Sequence, residues 1–238
     1  MIYDVDLEKI LFLDIETVPQ FEDHSKLSEK EKDFWEKKSN AFRKEQSPEE
    51  VYERAGIYSE FGKIVCISVG LIRKKNNVNY LRLKSFYNDD EKVILTGFKE
   101  LLKKHFNTDN HMLCGHNGKE FDFPYIGRRM LINGIKLPLL LDIAGKKPWE
   151  VNHLDTMELW KFGDYKHYTS LNLLTHIFNI PTPKDDIDGS EVHRVYWEEK
   201  NLKRIADYCA KDVKATVQLF LRFRGEDLIP EENIEIVE

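Results

Sequence analysis

KILFLDIET, residues 9–17, opens with an unbroken apolar run from Ile10 to Leu13 and ends in two acids. Such a run suits a strand buried on both faces. Side chains alternate along an extended chain, so Asp14 and Glu16 share a face, roughly 7 Å apart at about 3.3 Å per residue. Holding two like charges there is costly unless a positive group lies between them, and that group is a lysine, an arginine or a metal.

Working outward, Pro19 breaks the pattern and a charge-dense segment runs over residues 20–58. Its apolar residues Leu27, Phe34, Trp35, Phe42, Val51 and Tyr52 have the spacing of one or two amphipathic helices, a helical insertion after the first strand. GKIVCISVGLIR from Gly62 and VNYLRLKSFY to Tyr87 read as a long hairpin, with Asn76 and Asn77 suited to positive φ at its turn. A helix is expected over 89–106, a short strand over 111–115 and, after Asn117-Gly118, a helix over 123–133 with Pro124 in its first turn. A proline-bounded apolar piece, a fifth strand with a helix start at 153–160, and helices over 170–178, 191–199 and 202–223 follow. The last is periodic through Ile205, Cys209, Val213, Val217, Phe220 and Leu221. Residues 225–238 are acidic and read as a loose tail. The whole is an α/β domain over 1–224, a mixed five-stranded sheet flanked by helices, whose ligand crevice lies off the carboxyl ends of the central strands.

Composition narrows the function. Of 238 residues, 33% are charged, and no apolar run reaches the ~18 residues of a membrane span. The start MIYDVDLEK has no secretory pattern, so the expected location is the cytoplasm. Cys66, Cys114 and Cys209 lie far apart in apolar segments and read as reduced core thiols. A net charge of -6 argues against broad duplex binding by phosphate neutralisation, but not against gripping a chain end.

Three segments supply acids that can meet at one sheet edge: Asp14-Ile15-Glu16, the turn HNGKEFD that ends in Asp122, and YCAKD, in which Tyr208 and Asp212 are i,i+4 neighbours. Each has a plain alternative: a polar strand end, a helix cap at Asp122, and a surface hydrogen bond. Together their carboxylates repel, by on the order of 4 kcal/mol for each close pair at an effective dielectric near 20. Oxygen-rich acidic clusters of this kind are what Mg²⁺ or Mn²⁺ requires, and two such ions are the usual machinery of phosphodiester displacement.

LFLDIET, HNGKEFDFPYIGRR and IADYCAKDVKATVQLFLRF resemble, in order, the three motifs of DEDDy 3'-5' exonucleases of ribonuclease H-like fold. The likeness is to the proofreading domain of family B DNA polymerases and to stand-alone bacterial proteins predicted to be related to it. Tyr208, four residues before the last acid, marks the tyrosine subclass; a histidine subclass would need His where Asp207 stands. The resemblance implies a two-metal phosphodiester hydrolase that releases nucleoside 5'-monophosphates from single-stranded DNA or frayed 3' ends. Asp14 would bridge both ions, Glu16 and Asp212 complete the tighter site, and Asp122 support the second through water. Tyr208 would orient the attacking water and Asn117 brace its turn. Thr17, Asn117, Phe121 and Lys184 are candidate substrate contacts, with Tyr125, Arg128, Lys146 and Lys147 as further candidates for gripping the strand. Asp155 reads first as a capping residue, and His116 and His153 as structural histidines. The alternatives are a 3'-5' exoribonuclease and a non-catalytic nucleic-acid-binding protein on the same fold.

Overall fold

The computed structural model describes residues 2–164, 168–181 and 187–237. Its centre is β1 (Ile10–Pro19), paired antiparallel with β2 (Gly62–Lys75), which in turn pairs antiparallel with β3 (Val78–Tyr87). At the β2-β3 turn Asn76 and Asn77 have φ of 51° and 62°, the left-handed pair that matches the twist of a two-residue hairpin loop. On the other side of β1, β4 (Met112–Gly115) is parallel to it, and β5 (Leu154–Asp155) is parallel to β4.

The sheet has six strands, ordered β5-β4-β1-β2-β3-β6, not five. The sixth, β6 (Ile234–Ile236), pairs parallel with β3 and comes from the segment expected to be a loose tail. That expectation fails because Ile229 is buried and the Gln218 side chain clamps it, Nε2 donating to the Ile229 carbonyl at 2.7 Å and Oε1 accepting from its N–H at 3.0 Å.

Alternation along β1 sorts the core into layers. Leu11, Leu13 and Ile15 face a cluster that includes Ile94, Phe98 and Leu102 of α2 (Glu91–His105) and Phe123, Ile126 and Met130 of α3 (Asp122–Ile132). Ile10 and Phe12 face Val213, Val217 and Phe220 of the last long helix, Leu202–Phe223. Asp14 and Glu16 continue that second row, so the period-2 pattern sends both acids toward the last helix.

The insertion holds one α-helix, α1 (Glu29–Ser39), capped by Ser28 and Glu31 in a reciprocal box, and a 3-10 turn over Tyr52–Ile57. Phe34 is on its outward face, but Trp35 is fully buried with Leu27, Val51 and Tyr52, and its indole N–H donates to the Pro48 carbonyl at 2.7 Å. This small core is tied to the sheet domain by α3: the Tyr125 hydroxyl donates to the Gly56 carbonyl at 2.7 Å and Arg129 to the Ser59 carbonyl at 2.9 Å. A side chain at Gly62 would collide with that hydroxyl, its Cβ falling 2.3 Å away.

The remaining helices are α4 (Thr156–Lys161), α5 (Leu171–Ile177), α6 (Val192–Trp197) and α7 (Leu202–Phe223). Every core position expected on α7, from Ile205 to Leu221, is buried. No helix among the described residues is long and apolar enough to cross a membrane.

Candidate active site

Asp14 and Glu16 lie opposite Ser68 and Cys66 of β2, and the register then slips between Glu16 and Thr17, leaving Val65 unpaired. A bulge at this place twists the strand end next to the two acids. Glu16 is nearly buried and Asp14 half-buried.

The second acid segment is delivered by the turn after β4. Asn117 takes φ of 65°, which asparagine tolerates better than most residues. A Cβ on Gly118 would meet the Phe123 ring at 2.9 Å. Asp155 fixes the turn from the neighbouring strand, accepting from Asn117 N–H and Lys119 N–H at 3.0 Å each while also capping α4 through Met157 N–H at 2.9 Å. Asp155 is thus a structural cap, as expected, and a brace as well. The same turn buries the Asn117 Oδ1 atom without a hydrogen-bond partner among the described residues.

Asp122 does not cap α3. The cap position is Phe121, with no side-chain hydrogen bond, while Asp122 Oδ1 accepts from the Ile15 N–H at 3.1 Å. The pairing of β1 with β4 ends at Phe12 and Cys114, so this edge N–H of β1 meets a carboxylate where the ladder stops. One hydrogen bond across 107 residues therefore places the second motif's acid on the first motif's strand.

The third segment arrives on α7. Tyr208 hydrogen-bonds Asp212 one turn on, as their i,i+4 spacing allows. Between them, Cys209 is buried on the core face, and its thiol lies 3.4 Å from both the carbonyl oxygen and Oδ2 of Asp14. Ligand atoms of Asp14, Glu16 and Cys209 all lie within 4.8 Å of one another. From the sequence Cys209 reads only as a core thiol; its place on the α7 core stripe, one residue after Tyr208, is the one local sign that it faces β1 beside the acids.

The electrostatics follow from this crowding. Asp14 is pushed well above the usual carboxylate range by burial first, then by the charges of Asp122, Glu16 and Asp212. Burial also raises Glu16, with Asp212 adding repulsion. Asp122 is pushed up to about 7, again by burial, although the backbone donors it accepts from pull the other way. Tyr208 is raised far above a free phenol by burial and the neighbouring Asp212, Glu16 and Asp14 charges, so its hydroxyl keeps its proton. Carboxylates held where protonation or a counter-ion must relieve them are a hard, oxygen-rich donor set of the kind that suits Mg²⁺ or Mn²⁺.

Around this centre the other candidates separate. Thr17 hydrogen-bonds Tyr125, and Tyr125 is fully buried against the insertion, which makes it a strut and not a strand-gripping residue. Phe121 is half-buried with its ring centroid 5.3 Å from that of Tyr125. Arg128, Lys146 and Lys147 are exposed, and Lys184 lies outside the described residues. His153 accepts from Leu113 N–H at 3.2 Å and pairs with the Leu140 carbonyl at 2.7 Å, and burial drives it down to about 4. His116 pairs with Thr156 and the Thr169 carbonyl at 2.9 and 2.8 Å. Both histidines are structural, as expected. A cleft of about 300 Å³ opens beside Asn117, with Lys119, Lys146 and Lys161 on its walls. Tyr168, not anticipated from sequence, is exposed over most of its side chain, while partial desolvation of its hydroxyl and then the charges of Asp122, Asp14, Asp155 and Asp212 raise its pKa.

A mixed sheet with three acid-bearing segments meeting on β1 is the ribonuclease H-like architecture. About a quarter of the family B DNA polymerase of Pyrobaculum calidifontis shares this fold. The two superpose with a TM-score of 0.53 at 15% identity, over 90% of this chain and 24% of the polymerase. Residues 57–229 match the family described as "predicted 3'-5' exonuclease related to the exonuclease domain of PolB", and the chain belongs to that family. Similar curated proteins are a DNA polymerase of Pyrococcus glycovorans, 28% identical over 163 residues, and DNA polymerase 1 of Pyrococcus abyssi, 29% identical over 147 residues. These matches take in 63% and 56% of this chain but only 20% and 18% of the polymerases, so the chain spans about a fifth of their length.

Proposed function

We propose that the protein is a metal-dependent 3'-5' exonuclease that removes nucleoside 5'-monophosphates from single-stranded DNA or frayed 3' ends. The observation that carries this reading is the meeting of Asp14, Glu16, Asp122 and Asp212 from three distant segments, close enough that the last three each raise the pKa of the first. Membership of the predicted exonuclease family and the likeness to DNA polymerases support it.

In this reading Asp14, Glu16, Asp122 and Asp212 are the residues that would hold divalent cations, Mg²⁺ or Mn²⁺, with Asp14 at the centre of the cluster because each of the other three acts on it. When bound, a pair of such cations activates water and stabilises the leaving 3'-oxygen of an in-line displacement. The rest falls to the chain. Tyr208, its proton retained, donates to Asp212 and would orient the attacking water. Asn117 and Phe121, in the turn that carries Asp122, and Thr17, next along β1 after the acids, are the residues that would contact a terminal nucleotide.

The test uses matched DNA and RNA oligonucleotides labelled at the 3' or the 5' end, with and without Mg²⁺ or Mn²⁺. Release of labelled mononucleotide from the 3' end first, only with metal and faster on DNA, supports the proposal. Turnover of RNA alone would make the protein an exoribonuclease. Intact strands under all conditions would leave a non-catalytic binding protein.

A further inference from the structure

Cys209 gives this acid cluster a donor that a hard-cation site has no use for. Its Sγ stands 3.4 Å from Asp14 Oδ2, and in a tetrahedral zinc centre with Zn–S near 2.3 Å and Zn–O near 2.1 Å the sulfur and oxygen lie about 3.5 Å apart. Glu16 completes the set, with the ligand atoms of all three residues inside 4.8 Å. The three ligand atoms are thus already gathered from β1 and α7 into one small volume. A second thiol, Cys66, lies directly across the ladder from Glu16 and contacts Ser68 at 3.6 Å. Mg²⁺ and Ca²⁺ avoid sulfur, whereas thiolate draws Zn²⁺ and its heavier relatives.

We propose that Asp14, Glu16 and Cys209 form a thiophilic cation site that takes Zn²⁺, or Cd²⁺ as its probe, through the Cys209 sulfur in competition with Mg²⁺ or Mn²⁺. On binding, the Cys209 S–H proton is released to solvent, a metal–sulfur bond replaces the thiol's hydrogen bond to Asp14, and no electron is transferred. The soft cation then withholds Asp14 and Glu16 from the hard ions and acts as an inhibitor. The inference rests on the reading of this cluster as a cation site, and not on the identity of the nucleic acid.

The test is titration of the full chain with Cd²⁺ in the absence of nucleic acid, followed by the ultraviolet thiolate-to-cadmium charge-transfer absorbance. The expected result is a band of one thiolate per chain that excess Mn²⁺ diminishes. Cys209→Ser should abolish it, and Cys66→Ser and Cys114→Ser should retain it. Asp14→Asn should weaken Cd²⁺ by at least the roughly 10–100-fold that even an outer partner of a metal ligand costs. Absence of the band from the wild-type chain at saturating Cd²⁺ overturns the proposal whether or not the variants fold, as does a band that survives in Cys209→Ser. Because absorbance reads coordination directly, a chain that binds Cd²⁺ through sulfur yet degrades no strand retains this inference while losing the nuclease one.

Discussion

The carboxylate of Asp122 accepts the backbone N–H of Ile15 at 3.1 Å, which fixes the start of α3 against the strand that carries Asp14 and Glu16. Asparagine at 122 keeps an oxygen for that N–H and loses the charge. Asp122→Asn should therefore fold with nearly the wild-type melting temperature, while cleavage of a labelled single strand falls at least about 100-fold, or ~2.7 kcal/mol in barrier. Unchanged cleavage would reduce Asp122 to a structural acceptor. Asp122→Ala, which also orphans a buried N–H, should lose a further ~1–3 kcal/mol of stability.

The crowded acids of the metal-free chain predict a large response to cations. Asp122 and its neighbours have raised pKa values in the folded state, led by burial. Such groups bind protons more tightly folded than unfolded, so their stabilising effect is present at low pH and fades as pH rises through the folded value, near 7 for Asp122. Thermal melts without metal should accordingly lose stability between pH 5.5 and 8 relative to melts with metal. At about 100 times its Kd, a divalent cation adds ~2.7 kcal/mol, roughly 5–10 °C for a chain of this size. Asp14→Ala should remove most of that gain.

How much of this was legible follows from the range of the interactions. Period-2 alternation was enough to put Asp14 and Glu16 on one face of β1, and 3.6-residue periodicity to put Tyr208 and Asp212 beside the α7 core stripe, because both patterns are local. The Asn76-Asn77 turn was likewise written in its own residues. What escaped depends on partners far along the chain. Asp122 keeps a helix cap as its plain alternative in the sequence because nothing near it shows that β1 runs beyond its pairing with β4. The final segment looked loose because Gln218, which clamps Ile229, sits among the apolar residues of α7 with no local hint of its partner. Tyr125 reads from the sequence as a candidate for gripping the strand, and only the folded insertion shows that its hydroxyl is spent on Gly56. Cys209 gave no sign in composition that it would touch a carboxylate.

Tyr208 is bonded to Asp212 and keeps its proton at any ordinary pH. Tyr208→Phe should leave Mn²⁺ binding, measured by calorimetry, within a few-fold of wild type, since no ligand is removed. Turnover should drop roughly 10–100-fold, or ~1.4–2.7 kcal/mol, with little change in KM. A loss of metal affinity equal to the loss of rate would assign the hydroxyl to the cation site.

A second buried centre bears on stability alone. Arg129 forms a forked pair with Glu91, at 2.8 Å through Nε and 2.6 Å through Nη2, and both side chains are nearly fully buried. Glu91 also accepts from Ile64 N–H at 2.8 Å and Arg129 donates to the Ser59 carbonyl, so the pair joins α2, α3, β2 and the end of the insertion. Arg129→Met should cost about 3–5 kcal/mol in chemical denaturation by stranding the Glu91 charge. Adding Glu91→Gln to that variant should recover part of the loss, since the amide still accepts from Ile64.

His153 supplies the opposite pH dependence from the acids. Its ring is buried between the Leu113 N–H and the Leu140 carbonyl, and burial lowers it to about 4. A histidine that is harder to protonate folded than unfolded stabilises the chain fully above the unfolded value near 6.5. That contribution, up to about 3 kcal/mol for a shift of this size, is lost as pH falls from there toward the folded value. His153→Gln retains an acceptor for Leu113 and a donor for Leu140 but does not titrate. The difference in unfolding free energy between wild type and this variant should therefore be flat from pH 8 to 7 and narrow steadily from pH 6.5 to 4.5, with metal present throughout to keep the acid cluster neutralised. A difference that does not vary with pH would mean that His153 contributes by packing alone.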